Sequence, residues 1–372
     1  MNIYRAHAID VAIIRSNSII YDPRVQKIVR SLSKRYSTLS LGWDREGLLS
    51  ELKDPGMSNL KVFNLKAPVG KFSLVAYFPL FWLWVLLKLL VYRPQVVHAC
   101  DLDTVLPCYI YKFIFKKRIV FDVFDRYAMA YVPLKSKRLY SVVNSIEELF
   151  SRKVDVLITV SEKLMKTFHR TGDGTSIILN CPENYVTDTL SNKNKIFTIV
   201  YTGAIVRNRG LERIVTALSS LTDVQFIIAG RIIDKTLFDQ VQAFPNTAYA
   251  GMLRPSEALA LEASADVMVI LYNLDDPINN YAMPNKIFEA MLLGLPIISN
   301  VASELINEAK CGIIVEYNNL EEIRSSIVLL KNNTELRDKL GRNGHNAYQQ
   351  KYNWDRMEQR LYSIYESLLG NT

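Results

Sequence analysis

The sequence predicts two doubly wound α/β domains, each a parallel sheet with helices on both faces. Three observations predict it. Short apolar runs rich in Val and Ile alternate with helix-period segments through most of the 372 residues. A polar stretch, "PENYVTDTLSNKNK" at 182–195, interrupts that alternation once. Beyond it the alternation restarts and runs to a final amphipathic helix. The length agrees, since a chain of this size suggests two domains.

In the first half, strands are read at "DVAIIRS", "STLSLGW", "LKVFNL", "PQVVHAC", "RIVFDVF" and "VDVLITVS", with the helix "PRVQKIVRSLSKRY" after the first of them. In the second half they are read at "IFTIVYTGA", "VQFIIAGR", "TAYAG", "DVMVILY", "LPIISN" and "CGIIVE". The expected domains are residues 1–185 and 196–352. The last stretch, "YNWDRMEQRLYSIYESLLG", sets Trp354, Met357, Leu361, Ile364 and Leu368 at three- and four-residue spacing. This helix, about 353–372, is expected to pack back on the first domain. Ligands of doubly wound sheets bind beyond the carboxyl ends of the strands, so a cleft between the two sheets is the expected site.

A net charge of +8 favours anionic partners: phosphates, anionic lipid or nucleic acid. Cysteines 100, 108, 181 and 311 form no C-x-x-C pair and fit no zinc spacing, which suggests a reducing compartment. The four histidines are scattered and offer no H-E-x-x-H. The start, "MNIYRAHAIDVAIIRS", is too polar for a signal peptide, so a cytoplasmic location is expected.

Residues 72–92, "FSLVAYFPLFWLWVLLKLLVY", are the most hydrophobic segment and long enough to span a bilayer. They contain Pro79 and Lys88 and lie between two strands of one sheet, which argues against crossing. The expectation is a helix that dips into a membrane interface from the cytosolic face, with Phe72, Tyr77, Phe78, Phe81, Trp82, Trp84 and Tyr92 suited to that interface; a buried core helix is the alternative. Lys66, Lys71, Lys88 and Arg93 would meet anionic headgroups.

The stretch "NNYAMPNKIFEAMLLGLPII" (279–298) carries the chemistry. Pro284 suits the first turn of a helix, where a missing N–H costs nothing. Ile287, Phe288, Met291 and Leu292 fall on one arc of that helix, with Asn285, Lys286 and Glu289 on the other. The amides at the helix start favour an anion, and Lys286 adds a full charge. Glu289, one turn on, can accept two hydrogen bonds from a diol such as a ribose. Together they describe a seat for a nucleoside diphosphate; an ordinary amphipathic helix with a solvated Glu-Lys face is the alternative.

This stretch resembles the nucleotide-sugar motif of the family 4 retaining glycosyltransferases, which have the GT-B fold. Their motif has two glutamates eight positions apart, then Ala-Met, a small residue, Gly, any residue and Pro. Glu289 in "EAMLLGLPII" is the second glutamate, and Tyr281 stands where the first would be. The chain therefore looks like the subset with Pro-x-Lys before the one glutamate, "PNKIFEAM". "YTGAIVRNRGLERIVTAL" (201–218), with Gly203, resembles the donor-domain loop in which an Arg and a Lys grip the diphosphate. Arg209 takes the Lys position and Ala204 the Arg position, leaving Arg207 or Arg231 to supply the missing charge. "VDVLITVSEKL", "IILNCPE", "DPRVQKIVRSLSKRY", "VVHACDLDTVLP" and "WDRMEQRLYSIYESLL" match the family in order along about 350 residues.

The resemblance implies transfer of a sugar from a nucleoside diphosphate sugar to an acceptor hydroxyl with retention. Lys286 and Arg209 are the residues expected to stabilise the leaving diphosphate. Many members carry a histidine where this chain has Phe124; Asp125, next along, is the candidate to bind the acceptor hydroxyl or take its proton. His98 and Asp22 are further acceptor candidates, the latter also suited to capping the helix from Pro23. "DLD" (101–103) invites a metal reading, but basic residues take the metal's role in this family, so metal-independent chemistry with no cofactor is expected. The implied partners are the nucleotide sugar, a glycan or lipid-linked acceptor of surface polysaccharide synthesis and a membrane surface through residues 72–92, with no nucleic acid. Two alternatives stay open: another GT-B sugar-nucleotide enzyme, such as an epimerase or inverting transferase, and a non-catalytic member of a polysaccharide assembly.

Overall fold

The computed structural model describes residues 9–47, 59–68, 72–132, 136–170, 173–184 and 194–370. Lys71 and most of the expected linker, residues 185–193, lie outside them. The chain divides into two compact units: Met1–Asn180 with Met357–Thr372, and Cys181–Arg356.

The first unit holds a seven-stranded sheet ordered β3-β2-β1-β4-β5-β6-β7. Its strands are β1 (Val11–Arg15), β2 (Thr38–Trp43), β3 (Leu60–Phe63), β4 (Val96–Cys100), β5 (Arg118–Val123), β6 (Val156–Thr159) and β7 (Thr175–Ile177). All pairings are parallel. The helices are α1 (Pro23–Ser33), α2 (Phe78–Tyr92), α3 (Leu102–Phe115), α4 (Tyr127–Tyr131), α5 (Lys137–Lys153) and α6 (Glu162–Met165). β1 and β4 are neighbours from which the chain winds in opposite directions, so the carboxyl ends of these strands open a crevice, the usual ligand position of such sheets. Crossovers between parallel strands are right-handed. The connection through α1 runs one way along the sheet, and those through α2, α3 and α5 run the other. This puts the latter three helices together on the opposite face.

The second unit holds a six-stranded sheet ordered β10-β9-β8-β11-β12-β13. Its strands are β8 (Phe197–Thr202), β9 (Val224–Ala229), β10 (Thr247–Tyr249), β11 (Val267–Ile270), β12 (Ile297–Ser299) and β13 (Gly312–Ile314). Its helices are α7 (Leu211–Leu218), α8 (Lys235–Gln242), α9 (Pro255–Ala263), α10 (Asn285–Leu293), α11 (Ser303–Ala309), α12 (Leu320–Asn332) and α13 (Thr334–Gln350). These six strands are the six read from the sequence, and the switch point falls between β8 and β11. Ile199, Ile214, Phe226, Val269, Ile298 and Ile327 lie in one fully buried cluster between this sheet and its helices. Burying each such side chain is worth about 1.5–3 kcal/mol, which is what fixes the sheet edges that carry the site.

The closing helix α14 (Trp354–Leu369) joins the first unit from Met357 onward. Met357, Leu361, Tyr365 and Leu368 are buried there. Tyr362 donates its hydroxyl to the Ser31 carbonyl (3.0 Å), and Lys34 pairs with Glu358 (2.7 Å).

Two sequence expectations about this unit need correction. Phe78, Phe81, Trp82 and Trp84 do not form an outward belt. Trp82 stacks on Phe78 and donates its indole N–H to the Asp103 carbonyl (2.6 Å), while Phe81 stacks on Trp43 and Trp84. Packing against the sheet draws the rings inward and leaves aliphatic side chains outside. His98, an acceptor candidate in the sequence, does not reach the carboxyl edge: it is the third residue of β4 and fully buried. Its Nδ1 lies 2.6 Å from the Tyr365 hydroxyl of α14 and its Nε2 3.4 Å from Asp122, which also takes two bonds from buried Arg24 (2.7 and 3.0 Å). His98 therefore fastens the closing helix to the sheet and is out of reach of an acceptor.

Candidate active site

The loop after β8 and the start of α10 meet at the carboxyl edge of the second sheet. Between them is a cavity of about 200 Å³ lined by Tyr201, Gly203, Arg209, Tyr272, Asn285 and Lys286, with Met268 and Ile270 of β11 as its floor. Its shape depends on backbone that glycine permits. Gly210 has φ +62°, and a Cβ there would fall 2.7 Å from the Leu271 Cβ. Gly230 has φ +132°, and its Cβ would fall 2.0 Å from the Gly203 carbonyl oxygen, so the loops after β8 and β9 approach closely only with glycine there.

α10 begins at Asn285; Pro284 is its N-cap, in extended conformation, rather than its first helical residue. Pro284 offers no side chain to accept from the first-turn amides. The Ile287 amide turns back to the Pro284 carbonyl (3.1 Å), and the amides of this first turn carry the positive end of the helix.

Lys286 donates to Glu262 of α9 (2.8 Å) and to Glu289 one turn along α10. Glu262 is fully buried, also accepts from the Thr202 hydroxyl, and keeps one buried oxygen without a hydrogen-bond partner. Burial first, and then the nearby Glu289 charge, push Glu262 up to about 7. Burial opposes the Lys286 charge, but Glu289 and Glu262 outweigh it and hold the ammonium above the usual lysine range. Lys286 thus stays charged at any physiological pH, clamped from two sides. The sequence reading did not single out Glu262. Its signal was a glutamate three residues after Leu259 on the buried face of "EALALEASADV".

Arg209 sits 3.8 Å above the Tyr272 ring and donates to the Asn279 side-chain oxygen Oδ1 (3.4 Å). Neither contact neutralises it. Arg207 is ion-paired with Asp234 (2.8 Å), and neither Arg207 nor exposed Arg231 lines the cavity. The charge missing at Ala204 is therefore not replaced inside the cavity by either. Of the donor candidates, Gly203, Arg209, Asn285 and Lys286 converge on one cavity, with Glu289 attached through Lys286 and Pro284 behind it.

The acceptor candidates lie at the carboxyl edge of the first sheet. Arg15 pairs with Asp22 (2.9 Å) and with Asp101, which accepts from the Phe124 amide (2.9 Å). Asp101 follows β4 with φ +65°, a strained value for a residue with a Cβ. Burial raises it to about 6 despite the Arg15 charge. Asp103 accepts from Ser16 (2.5 Å) and Tyr127 (3.4 Å) and lies 3.8 Å from Arg45. Both carboxylates of the "DLD" stretch are thus held by arginines. Asp22 also caps α1, accepting from the Val25 amide (3.2 Å). Asp125 is exposed in the bend after β5, and the Arg15 and Arg24 guanidiniums stack on the adjacent Phe124 ring (4.5 and 5.0 Å).

Comparison with known proteins bears on the second unit most directly. Residues 196–333 match the model of the family described as glycosyl transferases group 1. The chain is 22% identical over 282 residues to a glycosyltransferase of Methanocaldococcus jannaschii, covering 69% of this chain and 70% of that one. It is 24% identical over 196 residues to the capsular polysaccharide biosynthesis glycosyltransferase CapM of Staphylococcus aureus, a match spanning about half of each protein (47% and 47%). Among solved structures, Anabaena HepE in complex with UDP and glucose superposes with a TM-score of 0.76 at 14% identity, over 96% of this chain and all of that one (100%). That likeness shows the GT-B fold.

Proposed function

We propose that this glycosyltransferase moves a sugar from a nucleoside diphosphate sugar to an acceptor hydroxyl, with retention at the anomeric carbon, in the synthesis of a surface polysaccharide. The observation that carries the donor half is the cavity at the second sheet's carboxyl edge, bordered by Arg209, Lys286 and the start of α10. These are three sources of positive potential around a space of diphosphate dimensions. As the bond to the sugar breaks, charge builds on the diphosphate, and fixed cations stabilise it without reorganising. Glu289 accepts from the ribose hydroxyls, and Glu262 keeps the Lys286 ammonium in place.

Retention rests on the resemblance of "PNKIFEAM" to the retaining family. In this reading the acceptor hydroxyl attacks from the face that the diphosphate leaves, and its proton passes to a leaving phosphate oxygen or to Asp125. Asp22 and Asp125, at the carboxyl edge of the first sheet, supply the acceptor contacts. Transfer needs no metal, because Arg209 and Lys286 do the work of a divalent ion. The match to CapM supports a glycan acceptor, and the UDP-bound state of HepE makes UDP-sugars the first donors to try.

The test is a thermal-shift screen of nucleotide sugars, followed by proton NMR of the product. A ligand that binds the folded state raises the melting temperature with its affinity. One sugar nucleotide should stand out, and the product should keep the donor's anomeric configuration. An inverted product, or epimerisation of the donor without acceptor, would replace this reading by one of a different GT-B enzyme.

A further inference from the structure

The apolar segment that looks membrane-like in sequence is part of a larger surface. Among the described residues Ser73–Tyr92 alone is a helical stretch long and apolar enough to cross a bilayer. It joins β3 to β4 of one sheet, and crossing would tear that sheet apart. α2 instead lies on the sheet through Phe78, Phe81, Val85 and Leu89. Leu80, Leu83, Leu87 and Val91, at the same spacing on the far side, are each more than half exposed.

The two neighbouring helices repeat the pattern. α3 buries Val105, Cys108 and Tyr111 and exposes Ile110, Phe113 and Ile114. α5 exposes Val142, Ile146 and Leu149. α3 and α5 touch through an edge-to-face pair, Tyr109 with Phe150 (5.5 Å), and α2 is tied to the first turn of α3 through Trp82 and Asp103. More than half of the exposed large apolar side chains among the described residues stand on these three helices. Soluble monomers rarely leave so extensive an apolar face uncovered.

A basic pocket adjoins this face. It has a volume of about 520 Å³ and takes its charge from Lys112, Lys116, Lys117, Arg118 and Lys153, against one carboxylate, Asp155. Asp155 is engaged by Lys112 (2.7 Å) and Arg118 (3.2 Å), so the pocket keeps a clear positive excess. Arg118 opens β5 and Lys116 follows α3, which sets the pocket at the amino edge of the sheet, away from the acceptor candidates. Phe113 belongs to both features: it lines the pocket and is 69% exposed beside Ile114.

We propose that the outer faces of α2, α3 and α5, together with this pocket, dock the protein on an anionic bilayer, the aliphatic side chains entering the headgroup boundary and the pocket taking a lipid phosphate. The occupant is argued from charge and composition. Apart from Phe113 the apolar face is aliphatic over three parallel-lying helices, which suits acyl chains, and the cations border it at one end, where a phosphate layer begins. The inference does not depend on the sugar-transfer reading, since membrane binding is measured without donor or acceptor.

The experiment is flotation of the full chain with vesicles of neutral phosphatidylcholine and of phosphatidylcholine mixed with anionic phosphatidylglycerol. Binding is expected to the anionic vesicles and to weaken with added salt. A basic side chain near an anionic leaflet contributes roughly fivefold in partitioning, so Lys116→Ala with Lys117→Ala should lower binding on the order of twentyfold. Leu83→Ser with Leu87→Ser should lower it further, and because both side chains are exposed the melting curve should stay as in the wild type. Absence of binding to every vesicle overturns the proposal, as does undiminished binding by both variants. So does self-association of the wild type that Leu83→Ser with Leu87→Ser abolishes while vesicles are ignored, which would make a second copy the occupant.

Discussion

At the carboxyl edge of the first sheet, Arg15 lies between Asp22 and Asp101, and Asp103 is held by Ser16, Tyr127 and Arg45. At the same edge of the second sheet, Arg209 faces a tyrosine ring and an amide oxygen, and Lys286 is fixed by two glutamates behind an open cavity. The topology of the two edges is alike. In the first, arginines and aspartates neutralise one another and order the loops. In the second, one cation has no carboxylate contact among the described residues, while the other is positioned by carboxylates, one of them deeply buried. A doubly wound sheet offers the location, and whether the charges there are matched internally decides whether an anion is welcome.

This contrast can be broken most strongly at Arg15. Arg15→Ala leaves Asp101 buried without its cation, and breaking a buried pair costs about 3–5 kcal/mol. The urea midpoint should fall accordingly, while nucleotide affinity stays at the wild-type value. Lys286→Ala should act on the other side of the comparison, lowering kcat about 10²–10³-fold, as expected for loss of one fixed group that stabilises developing charge. Turnover should suffer more than donor binding, because the diphosphate gains charge only as the sugar leaves. Steady-state kinetics under saturating donor separate the two.

Glu289→Ala comes next. A hydrogen bond to a charged group is worth about 1.5–3 kcal/mol, so donor affinity should drop roughly tenfold to a hundredfold by calorimetry. Unchanged affinity would remove Glu289 from the ribose.

Glu262 gives a pH signature. Its folded value of about 7 exceeds the ordinary 4.5. The folded state therefore holds a proton that the unfolded chain has released between those limits, and stability falls as pH rises through that window. Glu262→Gln removes this fall, so the variant should gain roughly 1–3 kcal/mol on the wild type between the two ends of the window. Urea midpoints at several pH values read it, and parallel pH curves would contradict the assignment. The smallest effect is expected from chelation. With both "DLD" carboxylates engaged by arginines, the proposed seating of the diphosphate on Arg209 and Lys286 predicts that activity survives excess EDTA. Loss restored by Mn²⁺ would reverse this.

Much of this was legible because it rests on local pattern. The strands of the second unit are buried apolar runs bounded by turn residues, and each was read in place. β7 was missed: it is a three-residue edge strand, and "TSI" carries no run to detect. Gly203, Arg209, Asn285 and Lys286 could be grouped because they belong to two quoted loop motifs. Glu262 escaped because its partners, Thr202 and Lys286, are 60 and 24 residues away, and only the fold brings them together. His98 was misjudged for the opposite reason. Its strand was read correctly, but the tyrosine it faces is 267 residues further on. The aromatics of 72–92 looked interfacial because composition does not say which side of a helix that is apolar nearly all round meets the sheet.

The most direct measurement concerns Arg209, the cavity cation with no carboxylate in contact among the described residues. Calorimetric titration of the nucleoside diphosphate selected by the thermal-shift screen, and of its parent nucleoside, should be made on the wild type and on Arg209→Ala. The variant is expected to lose about 1.5–3 kcal/mol of diphosphate affinity and almost none for the nucleoside. Equal diphosphate affinity in the two proteins would contradict the claim that this cavity holds the donor.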